Sequence, residues 1–157
     1  MSRIYIASDH AGFALKEEIK PFLQSLGYEV EDKGAMALDP NDDYPDFVSK
    51  VAEEIAKDPE GRGIVIGGSG QGEAIVCNRY KGVRAIVFNG QYEPKDKRIV
   101  PNEIKLSREH NDANILSLGA RFLNATDAKI AINAWLGTKF SGDERHVRRI
   151  KKIDNLG

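Results

Sequence analysis

Cysteine is almost missing from this chain. Cys77 is the only one, so no intrachain disulfide can form, and no charged, apolar and cleavable leader pattern precedes the first apolar run; the expected setting is reducing and cytoplasmic. Long apolar stretches are lacking too. None approaches the roughly 20 residues of a membrane-spanning helix, because charge interrupts each within about ten, so no membrane partner is expected. Neither sign of charge prevails: 23 Lys plus Arg stand against 24 Asp plus Glu, which leaves no global field to attract nucleic acid. The only histidines are His10, His110 and His146, no two of them three or four apart, and without a cysteine pair no zinc or other metal site is expected. There is also no internal repeat, low-complexity tract or domain-length linker. Residues 1–157 therefore read as one domain, 41% hydrophobic and long enough to bury a core around a sheet.

What is present is an alternation of short apolar runs with segments of helical period. Ile4 to Ala7 reads as a strand, followed by a helix whose apolar face carries Leu15, Ile19, Phe22, Leu23 and Leu26 and which Gly27 stops. Tyr28 to Lys33 alternates like an edge strand before an acidic, turn-rich loop, Asp39 to Pro45. A second helix carries Phe47, Val48, Val51, Ala52 and Ile55, then Gly63 to Ile66 forms the continuous apolar run of a central parallel strand. Downstream, Glu73 to Asn78 predicts a helix, Arg84 to Phe88 a strand, Ile115 to Leu118 a strand, and Thr126 to Leu136 a helix capped by Thr126 and ended by Gly137. A last charged helix runs from about residue 143, and the polar stretch from Gln91 to Lys105 looks like an inserted loop. Strands separated by helices pair in parallel through right-handed crossovers. The expected fold class is α/β: a doubly wound, five-stranded parallel sheet in the flavodoxin-like order 2-1-3-4-5, with helices on both faces.

In that order a crevice opens where strands 1 and 3 lie side by side, so the loops after them hold the first candidates. Ser8-Asp9-His10-Ala11-Gly12 sets a carboxylate and an imidazole at the end of strand 1. Gly67-Gly68-Ser69-Gly70-Gln71-Gly72-Glu73 frees backbone N–H groups to face a small anion at a helix start. No Lys-Ser or Lys-Thr follows, and the loop is not the dinucleotide fingerprint, which belongs after strand 1, so a nucleotide reading is weakened. Such glycines also serve packing alone. Glu73, at the first turn of the next helix, can act as a base beside a developing oxyanion, although the helix dipole by itself favours glutamate there. His110 sits in a polar motif, Arg108 to Asp112, just before the last strand. In the final helix Arg145 and Arg149 project from one face and can grip a phosphate, or merely line a solvated surface. Cys77 reads as a small core residue.

Taken together, Ser8 to Gly12, Asp43-Tyr44-Pro45, Gly67 to Glu73, Arg108 to Asp112, Gly119-Ala120-Arg121 and Arg145 to Arg149 resemble, in order, the motifs of the B-type ribose-5-phosphate isomerases and their galactose-6-phosphate isomerase relatives. The resemblance spans nearly the whole chain. It implies an aldose–ketose isomerase acting on a sugar phosphate, most simply ribose 5-phosphate and ribulose 5-phosphate, with no cofactor and no metal. It also implies a homodimer, with a tetramer possible in principle, whose sites are completed by the neighbouring subunit. By the same resemblance Glu73 is the proton carrier, His110 the ring-opening acid/base, and Ser69 assists transfer between hydroxyl oxygens. Asp9, His10 and Tyr44 line the sugar, while the N–H groups of Gly68, Gly70 and Gly72, with Asn111, hold the oxyanion. Arg121, Arg145 and Arg149 take the phosphate, with His146 nearby. One branch of the family carries its base as a cysteine where this chain has Gly67; this chain resembles the branch with a glutamate at Glu73. The stretch around Tyr92 to Glu103 is longer than the family pattern, which keeps a six-carbon sugar phosphate or a free sugar in view. The alternatives of other classes are a non-catalytic sugar-phosphate sensor and a flavin-binding module.

Overall fold

The structure, a computed structural model, describes residues 2–90 and 102–157. In chain order it comprises β1 (Arg3–Ser8), α1 (Phe13–Ser25), β2 (Glu29–Asp32), α2 (Pro45–Lys57), β3 (Arg62–Gly67), α3 (Gln71–Cys77), β4 (Ala85–Phe88), α4 (Glu103–Glu109), β5 (Ile115–Gly119), α5 (Ala125–Leu136) and α6 (Glu144–Asp154). The strands form one parallel sheet in the order β2-β1-β3-β5-β4.

The apolar runs become strands because alternate residues are claimed by two helical layers. Ile4, Ile6, Ile64, Ile66, Leu116 and Leu118 face α1 and α5, meeting Leu15, Ile19, Leu23, Ile132 and Trp135. Tyr5, Ala7, Val65 and Ile115 face α2 and α3, meeting Val48, Val51, Ile55, Ala74 and Cys77. Withdrawing each of the larger side chains from water contributes about 1.5–3 kcal/mol, so the central strands anchor everything attached to their ends. Gly27, at φ +91°, turns the chain out of α1 as the stop signal requires.

Three expectations need correction. The order ends in β5-β4, not 4-5. All five residues of β5 are buried, whereas β4 leaves Ile86 and Val87 half-buried, so the strand that can be enclosed on both edges takes the inner place beside β3 and the shorter one takes the rim. The cap of α5 is Asn124, not Thr126: its side-chain oxygen accepts from the Asp127 N–H at 2.8 Å, the geometry of an extended residue just ahead of the first turn. Most of the inserted loop expected at 91–105 lies outside the described residues, but its end is helical. Asn102 caps α4 by accepting from the Lys105 N–H at 3.1 Å, and Ile104 is buried. Among the described residues no helix is long and apolar enough to cross a membrane.

Candidate active site

The carboxyl ends of β1 and β3 carry the densest chemistry. Gly12 abuts the Ile66 carbonyl so closely that a Cβ there would collide with it, and this seats the start of α1 on the end of β3. Asp9, 6% exposed, is held at the same place, accepting from the Gly12 N–H at 3.2 Å. On the neighbouring strand Gly67 lies under the Glu73 carboxylate, and a Cβ on it would occupy the carboxylate's own position. Glu73 is only 4% exposed. Burial pushes its pKa above the ordinary carboxylate value and the charge of Asp9 adds to this, while a hydrogen bond from its own backbone N–H pulls the other way. A carboxylate of this kind is a stronger base than one in water and is poised for general acid–base work.

The glycine loop around it is fixed from several sides. Gly70 enters α3 at φ +77°, a conformation that disfavours residues with a Cβ, and its carbonyl accepts from the Ser117 hydroxyl at 2.7 Å. The Ser69 hydroxyl accepts from the Gln71 N–H at 3.3 Å. Tyr44, just before α2, lays its ring against Gly72, where a Cβ would strike it. Arg121 follows β5, donates its backbone N–H to the Gly68 carbonyl at 3.1 Å, and carries its guanidinium over the loop; a Cβ on Gly68 would stand 3.1 Å from its Cζ. Asn89, at the end of β4, donates to the Ser69 carbonyl and accepts from the Gly119 N–H, both at 2.8 Å. This clamp was not foreseen, since an asparagine after a strand carries no sign of its distant partners. The same is true of Asp42, whose Oδ1 accepts from both the backbone N–H and Nδ1 of His10. Asp9, His10 and Asp42 are, among the described residues, the one trio of possible metal donors within 4.8 Å of one another, and two of them, His10 and Asp42, are joined by a 2.6 Å hydrogen bond.

The remaining candidates stand elsewhere. His110 ends α4, ahead of β5, and stacks on His146 of α6 with ring centroids 4.2 Å apart. His146 is buried, its Nε2 has no hydrogen-bond partner among the described residues, and burial first, then the charges of His110 and Arg145, lower its pKa. Arg108 braces the turn that follows His110, donating to Asp112 Oδ1 at 2.8 Å and the Ala113 carbonyl at 2.6 Å. Arg145 and Arg149 are exposed on α6, one turn apart. The register sets Ile115 beside Gly63 and Gly119 beside Gly67, so His110 lies beyond the amino end of β5 and Glu73 beyond the carboxyl end of β3. Four steps of strand are about 13 Å. Within one chain, then, Asp9, His10, Tyr44, Gly68, Ser69, Gly70, Gly72, Glu73 and Arg121 gather at one end of the sheet. His110, Asn111, Arg145, His146 and Arg149 sit at the other.

Cys77 takes no part. It is fully buried, its thiol donates to the Val48 carbonyl at 3.7 Å, and burial pushes its pKa up to about 12, so it holds no thiolate at neutral pH.

The profile of the Ribose/Galactose Isomerase family matches residues 4–153. Ribose-5-phosphate isomerase B of Escherichia coli is 38% identical over 153 residues, covering 98% of this chain and 95% of that protein. The solved structure of the Clostridium thermocellum ribose-5-phosphate isomerase B superimposes with a TM-score of 0.85 at 43% identity, covering 97% of this chain and 95% of that one. That of the Mycoplasma genitalium enzyme, with ribulose 5-phosphate bound, gives a TM-score of 0.86 at 36% identity, covering 97% and 93%.

Proposed function

Because the chain belongs to the ribose/galactose isomerase family, we propose that it interconverts ribose 5-phosphate and ribulose 5-phosphate through an enediolate, with Glu73 as the base. The observation that carries this reading is the buried Glu73 carboxylate seated over Gly67 at the mouth of a loop of backbone donors. Once the sugar ring is open, the carboxylate takes the proton from C2; the electrons of that C–H bond form the C1=C2 double bond, and the former carbonyl oxygen becomes the enediolate oxygen. The N–H groups from Gly68 to Gly72 stabilise that charge, each well-aimed donor contributing about 3 kcal/mol to the barrier reduction. Glu73 then returns the proton to C1, while Ser69 relays the hydroxyl proton from O2 to O1. Aldose and ketose are isomers, so the reaction balances with no external electron acceptor.

Ring opening needs an acid/base, and the phosphate needs cations. His110, Asn111, Arg145, His146 and Arg149 supply those chemistries, yet they lie at the far end of the sheet from their own Glu73. A homodimer resolves this: His110 of the partner subunit faces the first subunit's Glu73, and the partner subunit's Arg145 and Arg149 join Arg121 on the phosphate. Met36, Leu38 and Ile75 are exposed apolar side chains on segments that leave the Glu73 end of the sheet, as a surface reserved for a second copy would be. A site shared in this way lets substrate be enclosed by two rigid bodies. The buried thiol and the near-neutral charge balance suit a cytoplasmic setting.

The test is proton exchange in deuterated water. Wild-type protein should label ribulose 5-phosphate at C1 and ribose 5-phosphate at C2 as they interconvert, and Glu73→Gln should bind substrate while losing most labelling and turnover. A wild-type protein that binds the sugar phosphate without labelling it would be a sensor, and near-normal exchange in Glu73→Gln would remove the base from the mechanism.

A further inference from the structure

Asp42 has no part in the roles above, yet it is the side chain on which His10 depends. Its carboxylate is 7% exposed, in the loop between β2 and α2, where its backbone N–H donates to the Asp39 carbonyl at 3.1 Å. A carboxylate withdrawn that far from water needs partners. Oδ1 finds two in one residue, accepting from the His10 backbone N–H at 3.0 Å and from His10 Nδ1 at 2.6 Å. Oδ2 is buried with no hydrogen-bond partner among the described residues, so the carboxylate's stabilisation rests on His10. Two bonds to a single oxygen fix both the main chain and the ring of His10. They commit Nδ1 as the inward donor and leave Nε2 as the outward edge of a side chain that is 35% exposed.

We propose that Asp42 is a positioning residue of this site, holding the His10 imidazole so that its Nε2 edge is presented to the phosphorylated sugar. The inference rests on the isomerase reading. Its chemical logic is charge balance, because Asp9, Asp39 and Asp42 all face His10 and would together repel a sugar phosphate. The contact with Asp42 raises the pKa of His10, that hydrogen bond being the largest cause, with the charges of Asp9, Asp42 and Asp39 adding and partial burial opposing. A histidine whose protonated form is favoured in this way supplies a local counter-charge that lets the anion approach a corner lined with carboxylates.

The test uses the full chain and two variants. Asp42→Asn keeps an acceptor oxygen of the same reach but no charge; Asp42→Ala removes both. A proton NMR titration of the histidines in substrate-free protein should show His10 losing its proton at lower pH in Asp42→Asn than in wild type. Across about pH 6 to pH 8.5, KM for ribose 5-phosphate should rise several-fold in Asp42→Asn toward the alkaline end and stay near wild type at the acid end, kcat changing less than KM. An unmoved His10 titration in Asp42→Asn overturns the proposal whatever the activity. A uniform fall in kcat with a lowered Tm and an unshifted pH profile overturns it too, since that pattern marks Asp42 as a structural prop. Wild-type protein that turns over no sugar phosphate, with its His10 titration still moved by Asp42→Asn, would sink the isomerase reading and leave the Asp42–His10 pair standing.

Discussion

Gly67→Ala adds one methyl group at the place where the structure has least room for it. Gly67 is not among the glycines at positive φ, so alanine meets no backbone objection there. The objection is the Glu73 carboxylate, which already occupies the position of the new Cβ. Something must move, and the free end of Glu73 is more mobile than the strand beneath it. Displacing a reacting group by about 1 Å costs on the order of 100-fold in rate, whereas overpacking by one methyl costs about 1–3 kcal/mol of stability. Gly67→Ala should therefore stay folded, keep KM within a few-fold, and lose about two orders of magnitude in kcat. Initial rates of ribulose 5-phosphate formation, paired with urea melts, measure both. The converse follows from the same volume: Gly67→Cys in a Glu73→Ala background places a thiol in the space the carboxylate has left, and turnover should recover above that of Glu73→Ala alone. Wild-type kcat in folded Gly67→Ala would refute the argument, because the base could not then be the group displaced.

Further outcomes come from the charges. Burial lifts Glu73 above its ordinary value, so the folded chain holds that proton more tightly than the unfolded one. Its contribution to stability is fully present below the unfolded value and is lost as pH rises through the folded one. Glu73→Gln, never charged, should accordingly melt above wild type at about pH 8, with the gap closing near about pH 4 in thermal scans. Arg145→Ala combined with Arg149→Ala should chiefly raise KM for phosphorylated substrate, leave Tm almost unchanged because both side chains are exposed, and flatten the salt dependence of KM in steady-state assays.

Much of the fold was legible because buried parallel strands read as unbroken apolar runs: Ile4 to Ala7, Gly63 to Ile66 and Ile115 to Leu118 all became strands. Which run lies beside which is a non-local matter, and the composition of Arg84 to Phe88 did not show that it would be left on the rim. α4 stayed hidden because its buried face carries Ser107 and Arg108 beside Ile104, so its polar spelling looks like a loop. The glycine loop stood out through its density of Gly ahead of an acidic helix turn. The separation of the two groups of site residues was also present in the sequence in principle: Glu73 follows its strand and His110 precedes its own, and in a parallel sheet these are opposite ends. Asp42 and Asn89 were out of reach, since each acts through a partner about 30 residues away or more, and nothing in the spacing singles Asp42 out from Asp43.

In the proposed homodimer a working site joins Glu73 of one subunit to His110 of another. Mixing Glu73→Gln subunits with His110→Ala subunits, each inactive alone, and allowing them to exchange should restore turnover to about a quarter of the wild-type value, because half the dimers are mixed and each holds one intact pair. If every site is built within a single chain, no mixture contains an intact pair, and activity that stays at the level of the separate variants after demonstrated subunit exchange contradicts the account.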